Sequence, residues 1–210
     1  IVGNHPVSID AADLNSDGRE DLIVANSTDN SISVLLTMED IDGSLYFDVT
    51  TTPMPRGDQS ITCVAVIDWN GDTDLDAVVG VNGVNNGYQV LLNVSDTMTI
   101  GPWLEIPDYQ LPDSSYEPDP PTCVDGGDQS SSWGFVGGTR HGRVHRRTPG
   151  GSLQVISELG GNNTVTIKAI ELDDSGGDGQ IDLMVSSDEA EVIYLFQGNA
   201  AEGDGFDDLI

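Results

Sequence analysis

The sequence predicts an all-β protein assembled from repeated antiparallel units. Short apolar runs alternate with clusters of Gly, Asp, Asn and Ser, a pattern that favours many short strands over long helices. An acidic loop followed by an apolar run returns after 55 residues, measured from Asp21 to Asp76. A fixed period of this size indicates stacked supersecondary units.

Composition narrows the class of protein and of partner. The chain has 210 residues, with 36 acidic against 7 basic residues and a net charge of −29. Clustered cations are needed to bind phosphates, so we expect no nucleic-acid partner. No apolar run approaches the roughly 20 residues of a membrane span, so we expect no membrane insertion, and Ile1-Val2-Gly3 does not resemble a signal peptide. The acidity suits a salty, calcium-rich exterior, which predicts an extracellular, secreted or cell-surface location.

Two loops carry oxygen-bearing side chains at positions 1, 3, 5 and 9. This spacing can wrap a short loop around one hard cation, since Ca²⁺ takes six to eight oxygen ligands. A carbonyl at position 7 would add a further oxygen. The candidate ligands are Asp13, Asn15, Asp17, Arg19 and Asp21 in the first loop, and Asp68, Asn70, Asp72, Asp74 and Asp76 in the second.

The competing motif for these loops is the EF-hand. That motif needs a Glu at position 12 and a helix on each side. Position 12 is Val24 in the first loop and Val79 in the second, and the flanking residues alternate or run apolar like strands. Each loop is therefore predicted to join two strands, with Gly18 at a sharp turn that favours a positive φ.

The stretch HPVSIDAADLNSDGREDLIVANSTDNSISVLL resembles an FG-GAP/VCBS-type repeat of integrin-α-like calcium-binding β-propellers. The resemblance implies a β-propeller of four-stranded antiparallel blades, in which the loop joins the first two strands of a blade and binds Ca²⁺. It also implies about seven blades. The four blades visible here would then be part of a larger propeller or be completed by another chain, and a closed four-bladed propeller is the less favoured alternative.

The repeats divide the chain as one propeller region, residues 1–210. Blade 1 is expected at about 5–58, blade 2 at about 59–106, an irregular surface linker at 107–121, a degenerate blade 3 at about 122–160 and blade 4 at about 161–210. Blade 4 has an incomplete loop, because Gly176 occupies position 3. We expect two strong Ca²⁺ sites and a weaker third, with the third formed by Asp174, Asp178, Gln180 and Asp182.

Two other features leave alternatives open. Cys63 and Cys123 start successive repeats, so they form either a disulfide or two buried thiols. Asn26, Asn93 and Asn162 lie in glycosylation sequons, and the first two are expected to be reachable near loops.

Most of the few cations fall in one short segment, which is either a solvated strand edge or a docking stripe for an acidic partner. A metal pair of His141 and His145 is a weaker alternative, since no third ligand is near in sequence. Lower pH would strengthen the docking stripe by charging the two histidines. The segment contains Arg140, His141, Arg143, His145, Arg146 and Arg147.

No catalytic motif stands out, so the prediction is a non-catalytic protein. The favoured function is an extracellular calcium-binding module for adhesion, binding or assembly. Its partner would be a protein or glycan on the cell surface, or another copy of the chain. Two alternatives remain: a structural subunit of an extracellular filament or sheath, and the propeller domain of a lyase or hydrolase acting on polysaccharides.

Overall fold

The structure is a computed structural model. It describes residues 1–54, 59–83, 85–93, 97–105, 109–110, 116–126, 134–147, 152–159, 165–173, 182–187, 193–196, 198–199 and 205–206. Every regular element in these ranges is a β-strand, and none of these residues forms a helix long and apolar enough to span a membrane.

Most of the described strands form four antiparallel sheets, which we call blades, and in each blade the strands follow the chain order. Blade 1 contains β1 (Pro6–Ala12), β2 (Asp21–Asn26), β3 (Ser31–Glu39) and β4 (Leu45–Pro53). Blade 2 contains β5 (Ser60–Ile67), β6 (Asp76–Asn82), β7 (Gly87–Asn93) and β8 (Met98–Glu105). A short pair follows, β9 (Tyr109–Gln110) with β10 (Tyr116–Glu117).

Blade 3 contains β11 (Pro121–Asp125), β12 (Phe135–Thr139), β13 (Arg143–Arg147) and β14 (Gln154–Glu158). Blade 4 contains β15 (Ile167–Asp173), β16 (Asp182–Ser187) and β17 (Ile193–Phe196). β18 (Gly198–Asn199) then pairs with β19 (Gly205–Phe206). The predicted all-β fold of antiparallel blades is confirmed, with four strands in each of blades 1 to 3 and three in the described sheet of blade 4.

The first strands of the blades lie side by side, in the order β1, β5, β11, β15. Apolar side chains on the facing surfaces of neighbouring blades form three clusters. One joins blades 1 and 2 through residues such as Ile23 and Val79, one joins blades 2 and 3 around Tyr88 and Phe135, and one joins blades 3 and 4 around Val144. The central strands of blade 2 are therefore buried on both faces, which explains runs such as Ala77-Val78-Val79.

Glycines in the second strands of blades 2 and 3 allow the blades to approach closely. A Cβ on Gly80 would lie 2.4 Å from Cys63 Sγ and 3.0 Å from Pro121 Cβ of the next blade. A Cβ on Gly138 would lie 2.3 Å from Ile167 Cγ2 of blade 4. The two glycines occupy the same register position, opposite Cys63 and Cys123 respectively, so one packing arrangement is repeated at two interfaces.

The predicted irregular surface linker at 107–121 is wrong in part. β9 and β10 pair within it, and Asp119 is fully buried at its end. The linker residues after β10 return to the interior because Asp119 binds groups on blade 3, as described below.

A cavity of about 500 Å³ opens where the four first strands begin. Hydroxyl groups of Ser60, Thr62 and Thr122 line it, and the cations Arg140 and Lys168 border it. All four blades contribute to this cavity, so it marks the axis around which they are arranged.

Candidate metal centres and the buried basic cluster

The first acidic loop is held by hydrogen bonds from its own backbone. The Asp13 carboxylate accepts from the N–H groups of Asp17 (2.9 Å) and Gly18 (2.8 Å). Asn15 Oδ1 also accepts from Asp17 N–H at 3.1 Å, and Asp17 Oδ1 accepts from Arg19 N–H at 3.0 Å. The side chains at positions 1, 3 and 5 therefore all turn into the loop.

The carboxylate at position 9 closes the first loop from the sheet. Asp21 is fully buried and accepts from the N–H groups of Leu14 (3.1 Å) and Thr37 (2.7 Å). Burial raises the pKa of Asp21, and the negative charges of Asp17 and Asp13 raise it further. Three carboxylates of the loop are thus close enough to repel one another.

The second loop repeats this arrangement. Asp68 accepts from the N–H groups of Gly71 (2.7 Å) and Thr73 (3.2 Å). The buried Asp76 accepts from Trp69 N–H at 3.2 Å and from Asn93 N–H at 2.7 Å. Burial raises the pKa of Asp76 to about 6, with smaller contributions from the nearby charges of Asp72 and Asp68.

The two loops differ at position 7. In the first, the Arg19 guanidinium pairs with Asp17 and donates to the Thr37 carbonyl oxygen at 2.9 Å. In the second, position 7 is Asp74, which adds a negative charge. The first loop carries an internal cation against its carboxylates and the second does not, so the second has the greater need for a bound cation.

The donor set fits a hard cation such as Ca²⁺, because it consists of carboxylate and amide oxygens only. Within the described part of the chain, however, no three Asp, Glu, His or Cys side chains gather as a metal site. Their oxygens are bonded to backbone N–H groups instead. The blade 4 ligands Asp174, Asp178 and Gln180 lie outside the described residues, whereas Asp182 is buried at the start of β16, equivalent to Asp21 and Asp76.

Both loops place positions 4 and 6 in the left-handed region. In the first loop these are Ser16 (φ 58°) and Gly18 (φ 84°), as the sequence predicted for Gly18. In the second they are Gly71 (φ 79°) and Thr73 (φ 74°). A β-branched residue is strained in this conformation, so Thr73 lowers the stability of the second loop. Gly18, at the same position of the first loop, has no such strain.

We therefore expect Thr73→Gly to raise the free energy of unfolding by about 1 kcal/mol, since glycine adopts a positive φ without strain. Urea denaturation of both proteins measures the change. The reciprocal variant Gly18→Thr serves as the matched control and should destabilise by a similar amount. Equal stability of Thr73→Gly and wild type would show that the loop relaxes around Thr73.

Asn93 links the two loops, and neither its role nor its position was apparent from sequence. Its N–H binds Asp76 of the second loop, and its Nδ2 donates to the Leu14 carbonyl oxygen of the first at 2.8 Å. Asn93 is 5% exposed, and Asn26 is fully buried with its Nδ2 donating to Ser33 Oγ at 3.0 Å. The expectation that these two sequons are reachable is wrong, because both amides serve as internal donors. Asn162 lies outside the described residues.

The predicted docking stripe is wrong for its central residues, which are buried. His141, Arg143 and His145 are at most 6% exposed. The Asp119 carboxylate binds two of them: His141 Nδ1 lies 3.0 Å from Oδ1, and Arg143 Nε donates to Oδ2. Thr139 Oγ1 donates to the same carboxylate at 2.9 Å. A buried acid therefore neutralises the cations inside the fold, where they cannot meet a partner.

The remaining basic residues of the segment have other environments. Arg147 stacks on the Trp69 ring, with its guanidinium carbon 3.9 Å from the ring centroid, and both Arg146 and Arg147 are half-buried. Arg140 is exposed at the rim of the cavity between the blades. The proposed pair of metal ligands is also not supported, since His141 is bound to Asp119.

His145 lies beside Tyr88, with ring centroids 6.3 Å apart, and neither ring nitrogen has a hydrogen-bond partner among the described residues. Burial and, to a smaller extent, the charge of Arg143 lower its pKa to about 4. The prediction that lower pH charges both histidines of a docking stripe is therefore wrong for His145, which is buried and resists protonation. Its neutral form fits this site, and its charged form does not.

A His with a lowered folded pKa stabilises the fold above its unfolded pKa of about 6.5, and this stability is lost as the pH falls towards 4. Between these values we expect a loss of up to about 3 kcal/mol relative to His145→Leu. Denaturation from pH 7.5 to 4.5 compares the two proteins. Subtracting the stability of His145→Leu from that of the wild type at each pH cancels the contribution of Asp76. The raised pKa of Asp76 would otherwise add stability as the pH falls, opposite to the effect of His145. His5→Leu, at an exposed position, is the control, and parallel curves for wild type and His145→Leu would contradict the assignment.

Cys63 and Cys123 are buried thiols with no disulfide between them, the second of the two alternatives left open by the sequence. Burial raises the pKa of Cys63 to about 12 and that of Cys123 to about 11. Each sulfur packs over the glycine of the neighbouring strand described above.

Antiparallel blades arranged around an axis, with an acidic loop between the first two strands of blades 1 and 2, define a propeller-type repeat protein. Residues 4–79 match the family model of the FG-GAP-like repeat, which spans blade 1 and reaches into β6 of blade 2. Residues 4–79 therefore carry an FG-GAP-like repeat, in agreement with the resemblance seen in the sequence. A sequence search of curated proteins found no match.

Proposed function

We propose that the chain is a non-catalytic, extracellular binding module whose blade loops bind Ca²⁺. The observation that carries this proposal is the repeated set of three carboxylates and one amide in each loop. In the second loop, burial raises the pKa of Asp76 to about 6, and residues 68–76 contain no cation that would lower it. A bound Ca²⁺ would supply positive charge there. Asp68, Asn70, Asp72 and Asp76 would hold it, with Asp13, Asn15, Asp17 and Asp21 in the first loop.

The family match and the buried positions of two histidines support a binding role. The FG-GAP-like repeat indicates a propeller-type binding or adhesion module. Two of the three histidines, His141 and His145, are used in the interior of blade 3. The net charge of −29 favours an exterior rich in salt and calcium.

Calorimetric titration of chelator-treated protein with CaCl₂ tests the metal assignment. We expect at least two sites, and weaker binding of Mg²⁺, which prefers a tighter octahedral shell. Asp72→Asn should remove the second-loop site and Asp17→Asn the first. Asp48→Asn, on the exposed strand β4, is the matched control. Absence of heat above dilution, or equal affinity for Mg²⁺, would refute calcium binding by these loops.

The cavity where the first strands begin is the proposed contact site for a partner. Its hydroxyl lining and its bordering cations, Arg140 and Lys168, suit an acidic glycan. Binding of a sulfated or uronic-acid oligosaccharide, measured with calcium present, should weaken in Arg140→Ser. A neutral oligosaccharide of equal length is the control. Equal binding of both sugars, or no effect of Arg140→Ser, would place the partner elsewhere.

A further inference from the structure

Blade 1 presents an apolar face that no neighbouring blade covers in the described part of the chain. The face forms a shallow groove between β1, β2 and β3. Ile9 is 60% exposed and Val7 is 42% exposed. The residues of this face used below are Pro6, Ile9, Leu22, Val24 and Leu35.

The same register positions in blade 2 are covered by blade 1. Ile9 corresponds to Val64, because Ile9 pairs with Val24 and Val64 pairs with Val79. Val64 is 4% exposed, against 60% for Ile9. The other equivalents are also buried in the interface between blades 1 and 2: Ile61 for Pro6, Ala77 for Leu22, Val79 for Val24 and Leu91 for Leu35. The outer face of blade 1 therefore carries apolar side chains at positions that are buried in blade 2, but no described blade packs on it.

Blade 4 lies at the other end of the row of blades, and no described residue of another blade covers its face that points away from blade 3. Ile193 is 70% exposed, and it occupies the register position of Ile32, Tyr88 and Val144 in the other three blades. Each of those three is at most 2% exposed, because the next blade packs on it. Met184 and Ala169 lie on the same face of blade 4.

A hydrogen bond between first strands recurs at two blade interfaces. The Val66 N–H of blade 2 donates to Asp10 Oδ2 of blade 1 at 2.7 Å, and the Leu172 N–H of blade 4 donates to Asp125 Oδ2 of blade 3 at 2.6 Å. Glu171 occupies the position of Asp10 and Asp125 in blade 4, and it is exposed.

The corresponding donor on blade 1 is the N–H of Ala11. It donates to the neighbouring Asp10 Oδ1 at 2.8 Å. The two outer faces therefore carry apolar side chains at register positions that are buried between the other blades, and the donor and the acceptor of this hydrogen bond lie on opposite faces.

We propose that the blade 4 face of one chain packs on the blade 1 face of a second copy. Both faces are exposed among the described residues, so the four described blades do not close on one another. A head-to-tail contact of this kind is heterologous and closes a ring when the rotation allows it. Two copies contribute eight blades, which is within the usual range of propellers, so the expected assembly is a closed dimer.

Sedimentation equilibrium in 150 mM salt with saturating Ca²⁺ tests the proposal, because these conditions screen repulsion between two acidic chains. The wild type is expected to be a dimer at micromolar concentration. Ile9→Asp and Ile193→Asp should each weaken the dimer at least 100-fold. Ile41→Asp, at a fully exposed turn outside both faces, is the control and should remain dimeric. Circular dichroism must show that each variant keeps its β-sheet content.

Mixing the two variants distinguishes head-to-tail packing from other dimers. Ile9→Asp chains keep an intact blade 4 face, and Ile193→Asp chains keep an intact blade 1 face. Their mixture should form dimers through one unmodified contact, although each alone is monomeric. A monomeric wild type, a dimer that survives both substitutions, or a mixture that stays monomeric would overturn the proposal.

Discussion

Asp119→Ala is expected to lower the free energy of unfolding by about 3–5 kcal/mol, because it removes the buried carboxylate that pairs with a buried cation. Arg143 is 6% exposed, and its Nε donates to Asp119. The same substitution removes the acceptor of Thr139 Oγ1 and of the His141 ring. Chemical denaturation gives the measurement. A loss this large is a substantial part of the 5–15 kcal/mol that stabilises a typical domain.

Two further variants separate the charge from the packing. Asp119→Asn keeps the size of the side chain but not its charge, so it should also be strongly destabilising. Asp119→Ala combined with Arg143→Met removes both charges and should recover part of the loss. Asp48→Ala, at an exposed carboxylate, should change stability by less than about 0.5 kcal/mol. A loss below about 1 kcal/mol for Asp119→Ala would mean that water or another group replaces the carboxylate.

Removal of calcium is expected to cause a second large loss of stability. A ligand that binds only the folded state at 100 times its Kd adds about 2.7 kcal/mol per site, so two sites add about 5 kcal/mol. For a chain of this size, the melting temperature should fall by roughly 10–20 °C in excess EDTA. Calorimetric or fluorescence melting curves with and without chelator measure this change.

The two loops should contribute unequally to that effect. Arg19 already neutralises Asp17 in the first loop, whereas the second loop has no such cation. Asp72→Ala should therefore remove more of the calcium-dependent stabilisation than Asp17→Ala. Melting curves that coincide in Ca²⁺ and EDTA would show that backbone hydrogen bonds alone hold the loops.

The blades could be predicted from sequence because their signals are local. Each loop of blades 1 and 2 marks the end of one strand and the start of the next, and the observed β2 at Asp21–Asn26 begins within one residue of the predicted Leu22. Blade 3 was predicted as degenerate because its loop motif is lost. Its sheet is nevertheless complete, because apolar residues such as Phe135 and Val144 form it by packing on neighbouring blades.

The basic cluster could not be predicted because it depends on contacts distant in sequence. Asp119 and His141 are 22 residues apart. A run of Arg and His in an acidic chain ordinarily indicates a solvated or docking surface, and no local pattern shows that one carboxylate is buried beside it. The prediction that the sequons are reachable is wrong for a related reason, since the local sequence around Asn26 does not determine the direction of its side-chain amide.

The two thiols can report how the blades separate. Cys63 packs near Pro121 of blade 3, and Cys123 packs near Gly138 and Ile167 at the boundary with blade 4. The thiolate is the form that attacks alkylating reagents, and burial keeps both groups protonated and covered. Reaction with iodoacetamide therefore requires a local opening, and its rate measures the free energy of that opening. Single-cysteine variants would report on each interface separately, so the local opening between adjacent blades can be measured at a native thiol.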